Sequence, residues 1–371
     1  MSLWTLRLLR PAPRILSSTF VRRYAIVPPS NLADTNPFQV FDRNSKRRQR
    51  DRVAGDVEAS RTVDYLRDEV ALRVVDRLLD IKRDFDTIVD LGSGCGHIAK
   101  HLDSDTVRKV IMCEMSVQVD RLVVDEERLP FEENSLEGVV SSMSLHWVND
   151  LPGEQILNRR FGGGGGESYT LRPRYSTLVY ILFSRSDSPC SLGALIQIHR
   201  ALKPDGMFIG ALLGGDTLFE LRTSLQLAEL EREGGISPRV SPLTDTRDLG
   251  SLLSRAGFTL TTVDIDEIAV NYPSALELMQ DLRAMGESNA VLNRRSFLKR
   301  DTLLAAAAIY KELHGNPDGT IPATFQILYM IGWKPSPLTP APKKRGSASK
   351  SLKDALVSEG EATSADGVKK A

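Results

Sequence analysis

The spacing richest in chemistry lies at residues 89–98, where an apolar run ends in Asp90 and glycines follow at 92, 94 and 96 before His97. Glycine lets a chain turn sharply after a strand and bring its backbone against a ligand, with the amides at the start of the next helix facing it. Glu114 closes the next apolar run 22 residues after Gly92. That is close to the separation of about 20 at which an acidic side chain meets ribose hydroxyls in doubly wound folds. Asp125 and Glu126, followed by Leu129-Pro130-Phe131, fall where a third strand ends. A nucleotide-like cofactor is the ligand these residues suit.

The third glycine narrows the choice. A dinucleotide fingerprint places it one position later, where this chain has His97. The tighter GxGxG after an acid is the form of S-adenosylmethionine-dependent methyltransferases, and the Asp125-Glu126 turn resembles their adenine-binding turn. The cofactor residues expected on this basis are Asp90, Gly92, Gly94, Gly96, Glu114, Asp125 and Glu126. His146 and Trp147 follow the carboxyl end of a later strand, where open α/β sheets bind ligands, which makes them candidates for donor or stacking roles beside a substrate. Asp216, Glu220 and Arg222 follow the next strand, where carboxylates can pair with a guanidinium, although Asp216 is equally suited to cap a helix. Glu287 and Asn289 are further polar candidates. No metal site is expected: His97 and His101 have helical spacing but lack a third ligand, and no facial triad stands out.

Strands alternating with helices must position these residues. Apolar positions at 66, 70, 74, 78 and 81 predict an amphipathic helix over 65–81. Strands are expected at 86–91, 110–114, 136–144, 207–213, 260–270 and 324–333, and helices at 194–202, 218–232, 245–256 and 275–285, with a turn at 203–206. The pattern predicts a Rossmann-like class I methyltransferase fold, a mostly parallel doubly wound sheet with helices on both faces. The basic run at 44–52 reads as a solvated helix face. Only eight residues, 115–122, separate Glu114 from Val123, whereas a parallel crossover takes about ten to twelve.

Composition is that of a globular protein, 41% hydrophobic and 26% charged. Three cysteines without paired spacing indicate neither a disulfide framework nor a zinc ribbon. Residues 1–33 carry five arginines and several serines and no acid, the bias of a mitochondrial transit peptide, with processing expected near Ala25. Removing 1–24 takes away five basic and no acidic residues. The formal charge moves from zero to −5, which excludes a general nucleic-acid binder. Residues 34–334 are expected to form the methyltransferase-type domain, interrupted by an atypical insert at 154–193 with glycines at 162–166, and 335–371 to be a disordered tail.

Segments 141–152, 198–206 and 214–222, the last reading Gly-Gly-Asp-Thr-Leu-Phe-Glu-Leu-Arg, resemble the mitochondrial complex I assembly factor of methyltransferase fold, the arginine-hydroxylase type. Residues 234–238, 264–272, 285–289 and 331–334 extend the resemblance. It implies a matrix protein, peripheral to the inner membrane, that hydroxylates an arginine in an iron–sulfur subunit or early assembly intermediate of complex I. Two other functions fit the residues: a methyltransferase acting on a small acid or a carrier-bound carboxylate, and a non-catalytic chaperone stabilised by its cofactor. The insert at 154–193 and the short stretch at 115–122 depart from the family pattern and are expected to be translated intron and a gene-model error.

Overall fold

The helical period beginning at Tyr65 and the apolar runs after it dictate a sheet covered on two faces. In the computed structural model, the structure describes residues 39–103, 105–116, 121–149, 193–337, 339–340 and 345–346. The expected leader at 1–33, the bulk of the insert at 154–193 and most of the tail beyond 334 lie outside the described residues, as do positions 117–120 of the short stretch after Glu114.

Three helices come first: α1 (Arg43–Gly55), α2 (Val57–Val63) and α3 (Tyr65–Leu79). The Asp42 carboxylate caps α1 by accepting from Ser45 N at 2.9 Å. Strands β1 (Phe85–Leu91), β2 (Val107–Glu114), β3 (Leu122–Val123) and β4 (Leu136–Ser142) follow, with α4 (His97–His101) after β1 and a 3-10 turn (Leu145–Trp147) after β4. The rest is α5 (Ala194–Ala201), β5 (Leu202–Leu213), α6 (Phe219–Glu233), α7 (Thr246–Arg255), β6 (Thr259–Tyr272), α8 (Ala275–Ala284), α9 (Arg300–His314) and β7 (Ile321–Trp333).

The sheet runs β3-β2-β1-β4-β5-β7-β6. Neighbours from β3 to β5 pair in parallel, and β7 is antiparallel to both β5 and β6. One core buries Leu66, Val70, Val74 and Leu78 of α3 with Leu221 of α6 and Tyr310 of α9. The other buries Leu195 and Ile198 of α5 with Leu249 and Leu253 of α7. The strand order reverses between β1 and β4, so a crevice opens at their carboxyl ends, where such sheets bind ligands.

Three expectations change. The predicted turn at 203–206 is absorbed into β5 as an irregularity opposite 136–138, with Asp205 at φ +66°, because flanking pairs to β4 on both sides keep the strand continuous. The third strand forms but keeps two residues, paired with Cys113 and Glu114. Among the described residues no helix separates it from β2, consistent with too short a chain for a full crossover. The basic run at 44–52 is a helix as expected, and Asn44, Arg48 and Arg52 do form a solvated face, but the other side is buried: Lys46 has no exposed surface, and the side chains of Arg43 and Arg50 are 12% and 10% exposed.

Candidate functional site

Strand β1 delivers Asp90 and the glycine loop to the crevice. Gly92, Gly94 and Gly96 all have positive φ, between +53° and +91°, a region that costs other residues strain. At Gly92 a Cβ would lie 2.1 Å from Ser144 Oγ, so glycine is required for the loop to pass under the end of β4. At Gly94 the one atom of the described residues within 4 Å of a Cβ position is an Arg67 nitrogen at 3.9 Å. The cleft above it is lined by Asp90, Gly92, Ser93, Gly94, Cys95 and His97 from the loop, Glu114 and Ser116 from the end of β2, and Arg50 and Arg67 from the leading helices.

The charges of this cleft are unevenly satisfied. Both Asp90 oxygens are buried without a hydrogen-bond partner. Burial, with the nearby Glu114 carboxylate, pushes Asp90 up to about 8, so it holds a proton over most of the neutral range. Glu114 accepts from Gly94 N at 2.7 Å on one oxygen and from Met115 N, Ser116 N and Arg50 Nη1 at 2.9, 3.2 and 3.2 Å on the other. The first oxygen keeps a lone pair free for a ligand hydroxyl. Glu126 is fully buried and accepts from Arg50 at 2.7 Å, from Ser144 Oγ at 2.5 Å and from Arg43 at 2.5 Å. Burial alone would raise it, but Arg50 and Arg43 outweigh that and hold it well below the usual carboxylate range. Asp125 is paired with Arg43 at 2.6 Å and its side chain is 42% exposed.

Of the seven expected cofactor residues, the fold thus gathers Asp90, Gly92, Gly94 and Glu114 around the cleft. Gly96 caps α4 in the left-handed conformation. Asp125 and Glu126 sit behind the cleft, engaged by Arg43 and Arg50.

A second cavity of about 210 Å³ adjoins the cleft, and Met143 and Met285 line both. Its walls are mostly leucine and methionine, with Trp147, Glu287, Ser288, Asn289, Arg239 and Ser241 supplying polar edges. Glu287 is fully enclosed in a cluster. Its Oε2 accepts from Trp147 Nε1 at 2.8 Å and lies 3.3 Å from both Lys46 Nζ and His146 Nε2, while Oε1 accepts from Arg67 at 3.0 Å. Lys46 also donates to Gly286 O at 2.6 Å and stands 3.4 Å over the Trp147 ring. Burial drives Lys46 well below its ordinary range, against the pull of Glu287. Burial also lowers His146, against the pull of Glu287. Glu287 itself stays ionised, since Lys46, His146 and Arg67 overcome the burial penalty.

Trp147, Glu287 and Asn289 therefore line the cavity, and His146 supports it from within the cluster. Asp216, Glu220 and Arg222 do not reach either opening. Asp216 accepts from the Gln326 side chain at 3.2 Å, Glu220 accepts from Thr324 Oγ1 at 2.5 Å, and Arg222 donates to Gly215 O and Thr217 O at 2.9 and 3.3 Å. These side chains fasten the turn after β5 to β7. Nor does Asp216 cap the helix, since α6 begins after Leu218 with no side-chain cap. Thr217, Leu218 and Leu221 of the same segment are the ones that reach the cavity. Among the described residues no group of three His, Cys, Asp or Glu side chains could hold a metal, and His97 pairs with Asp68 at 2.7 Å.

A methyltransferase domain model matches residues 63–263. The mitochondrial arginine-hydroxylase NDUFAF5 of Danio rerio is 48% identical over 326 residues, 85% of this chain and 89% of the relative. The chain belongs to the NDUFAF5 arginine-hydroxylase family. The Homo sapiens member is 44% identical over 94% of this chain and 93% of its own length. A malonyl-[acyl-carrier protein] O-methyltransferase of Methylovorus is more distant, 29% identical over 80% of this chain and 90% of its own length.

In this NDUFAF5-family chain the site residues that sequence reasoning missed are Arg43, Lys46, Arg50 and Arg67. The signal for the first three was the spacing 43, 46, 50 and 53, which puts these cations on one face of α1 together with Val53; Arg67 lies on α3. Arginine and lysine are rarely buried unless paired, and the partners Glu126, Glu114 and Glu287 are 64 to 241 positions distant in sequence.

Proposed function

We propose that this chain is a mitochondrial arginine hydroxylase that binds S-adenosylmethionine in the cleft above the glycine loop and acts on an iron–sulfur subunit or early intermediate of respiratory complex I. The observation that carries the reading is 48% identity with an arginine hydroxylase across 85% of the chain. The residues suit the cofactor. Asp90 offers a buried carboxyl group without a partner, Glu114 keeps a free lone pair, and Gly94 opens the backbone to the cleft. S-adenosylmethionine bound there supplies an electrophilic methyl and a cationic sulfonium.

The adjoining cavity suits an arginine side chain, with its methylenes against Leu66, Met143 and Leu221 and its guanidinium toward Glu287, the carboxylate in the lining. Glu287 Oε1 accepts from Arg67 alone, leaving room for a further N–H. Hydroxylation adds an oxygen that these side chains do not supply. Their part is to bind the arginine, keep water from it and hold it beside the cleft. Action in the matrix, peripheral to the inner membrane, follows from the proposed target, and no described helix is long and apolar enough to cross a membrane.

The experiment is mass spectrometry of the complex I iron–sulfur subunits after deletion of the gene, with rescue by Asp90→Ala. Loss of one oxygen from an arginine is the expected result. Loss of one methyl instead favours the second reading, a methyltransferase, to which the 29% identity with a malonyl-[acyl-carrier protein] O-methyltransferase gives some weight. Failed assembly with no mass change favours a chaperone, and full rescue by Asp90→Ala removes the cofactor from the reading. The leader at 1–33 is tested by N-terminal sequencing of the native protein, and the insert at 154–193 by transcript reads across both of its ends.

A further inference from the structure

The cavity beside the cleft has two charged side chains in its lining, Glu287 and Arg239, and they are satisfied to different degrees. Arg239 follows α6 on a segment that Asn289 ties to Glu287: Asn289 Nδ2 donates to Pro238 O at 2.6 Å, and Ser241 Oγ donates to Asn289 Oδ1 at 3.1 Å. The Arg239 guanidinium is held at two of its three nitrogens, with Nε donating to Glu229 Oε1 at 2.6 Å and Nη1 to Phe297 O at 3.0 Å. Its Nη2 is buried and has no hydrogen-bond partner. Trp147 Nε1 and Thr217 Oγ1 in the same lining, by contrast, are engaged by Glu287 and Gln326 O. Phe297 is 68% exposed and the next residue, Leu298, lines the cavity, so Arg239 stands where the lining passes into open surface. Two fastened nitrogens leave the planar fork already oriented, with little side-chain freedom to lose on binding.

Charge decides what the free nitrogen can take. Glu229 has no exposed surface; burial alone would raise it, but hydrogen bonds from Ser237 and Arg239 hold it below the usual carboxylate range. Arg239 and Glu229 thus form a neutral pair. A carboxylate arriving at Nη2 would bring an uncompensated charge between walls of leucine and methionine, whereas a carbonyl oxygen satisfies the buried N–H without one. A polypeptide that inserts an arginine side chain carries such carbonyls at its base. We infer that Arg239 is a positioning residue for the target polypeptide, its free N–H receiving a main-chain carbonyl at or beside the arginine whose side chain enters the cavity toward Glu287. The inference rests on the proposed reading of the cavity as an arginine site and adds a second point of attachment to it. Held by its guanidinium at one place and by its backbone at another, the target residue is fixed in depth and orientation, which is what a reaction at one atom of a flexible side chain requires.

The test is a competition assay by fluorescence anisotropy on the full chain, using a capped peptide with a central arginine among alanines against its fluorescein-labelled form. Two kinds of competitor are compared with it: the same peptide with citrulline for arginine, and a set with a single backbone thioamide, whose sulfur is a poor acceptor, at each position in turn. Wild type should bind the arginine peptide at least about tenfold more tightly than the citrulline one, and one thioamide at or beside the arginine should weaken binding roughly 5- to 20-fold. Arg239→Met should bind the all-amide peptide more weakly and no longer distinguish that thioamide. Arg239→Lys, which keeps the charge opposite Glu229 but not the fork, should behave in the same way. A uniform loss across the peptides with the thioamide preference intact means that Arg239 only holds the Glu229 and Phe297 segments, and overturns the inference. So does a wild type indifferent to every thioamide, an arm that needs no variant and decides the question even where Arg239→Met fails to fold. If wild type binds the arginine and citrulline peptides alike, or binds neither, the cavity is not an arginine site and both readings fall together, whereas rejection of citrulline with indifference to the thioamides sinks only the role of Arg239.

Discussion

The cofactor cleft and the Glu287 cluster are neighbours that share Arg67, and they are furnished in opposite ways. Over the glycine loop, Asp90 is buried with both oxygens unpaired and one nitrogen of Arg67 is idle. A few residues away, Glu287 receives Lys46, Arg67, His146 and Trp147 at 3.3 Å or less, and Glu126 receives Arg43, Arg50 and Ser144. An unpaired buried polar group costs free energy, while a buried ion pair at best offsets its own desolvation. The cluster therefore holds α1 and the 3-10 turn in place, and the cleft keeps polar capacity in reserve for a ligand.

Breaking the cluster should have the largest effect. Glu287→Ala leaves Lys46 and Arg67 buried without their carboxylate and is expected to cost about 3 to 5 kcal/mol, measured by urea unfolding. A loss below about 1 kcal/mol would mean the cluster contributes little to holding α1. Next comes Gly92→Ala, which drives a methyl into Ser144 at a positive φ, with an expected loss of about 3 kcal/mol and no binding of S-adenosylhomocysteine. Retained binding at wild-type affinity would show that the loop can reshape.

Asp90→Asn sharpens the comparison from the other side. The Asp90 carboxyl is raised from the usual range near 4 to about 8, so between those values the native state binds a proton that the unfolded chain has lost. Stability from this group accordingly falls as pH rises, by up to about 1.4 kcal/mol per unit. The variant lacks that slope, and its melting temperature should gain on wild type from pH 5 to pH 8 while its affinity for S-adenosylhomocysteine drops. A difference that does not vary with pH would place the Asp90 proton elsewhere. The smallest effect is expected at the Arg61–Glu58 pair, whose side chains are 70% and 86% exposed. Arg61→Ala should shift stability by less than about 0.5 kcal/mol, and a larger shift would show that surface pairs matter here as much as buried ones.

Much of the fold was legible because its signals are local. The helix at Tyr65–Leu79 and the strands at Phe85–Leu91, Leu136–Ser142 and Ile321–Trp333 follow from periodicity and apolar runs that survive in the tertiary structure. The helix Arg300–His314 has no counterpart among the expected helices. The turn at 203–206 was read from Pro204 and Gly206 alone, and pairing with β4 on both sides of it overrode the local preference. In the site, Asp90 and the glycines were legible because strand, loop and helix are contiguous. Asp216 and Glu220 do not reach the cavity because they are taken up by Gln326 and Thr324, over 100 positions away, whereas Arg222 is spent on the nearby carbonyls of Gly215 and Thr217.

By itself the sequence determined a doubly wound α/β fold and a glycine loop after β1 that glycine alone can form, because both depend on residues close together in the chain. Only the tertiary structure decided which charges are spent and which are free. Whether a buried arginine is idle or neutralised depends on carboxylates brought in by other strands, and electrostatic energy follows distance in space rather than in sequence. The basic run that reads as a solvated face carries on its other side, where α1 meets Glu114, Glu126 and Ser144, the cations that close one side of the site.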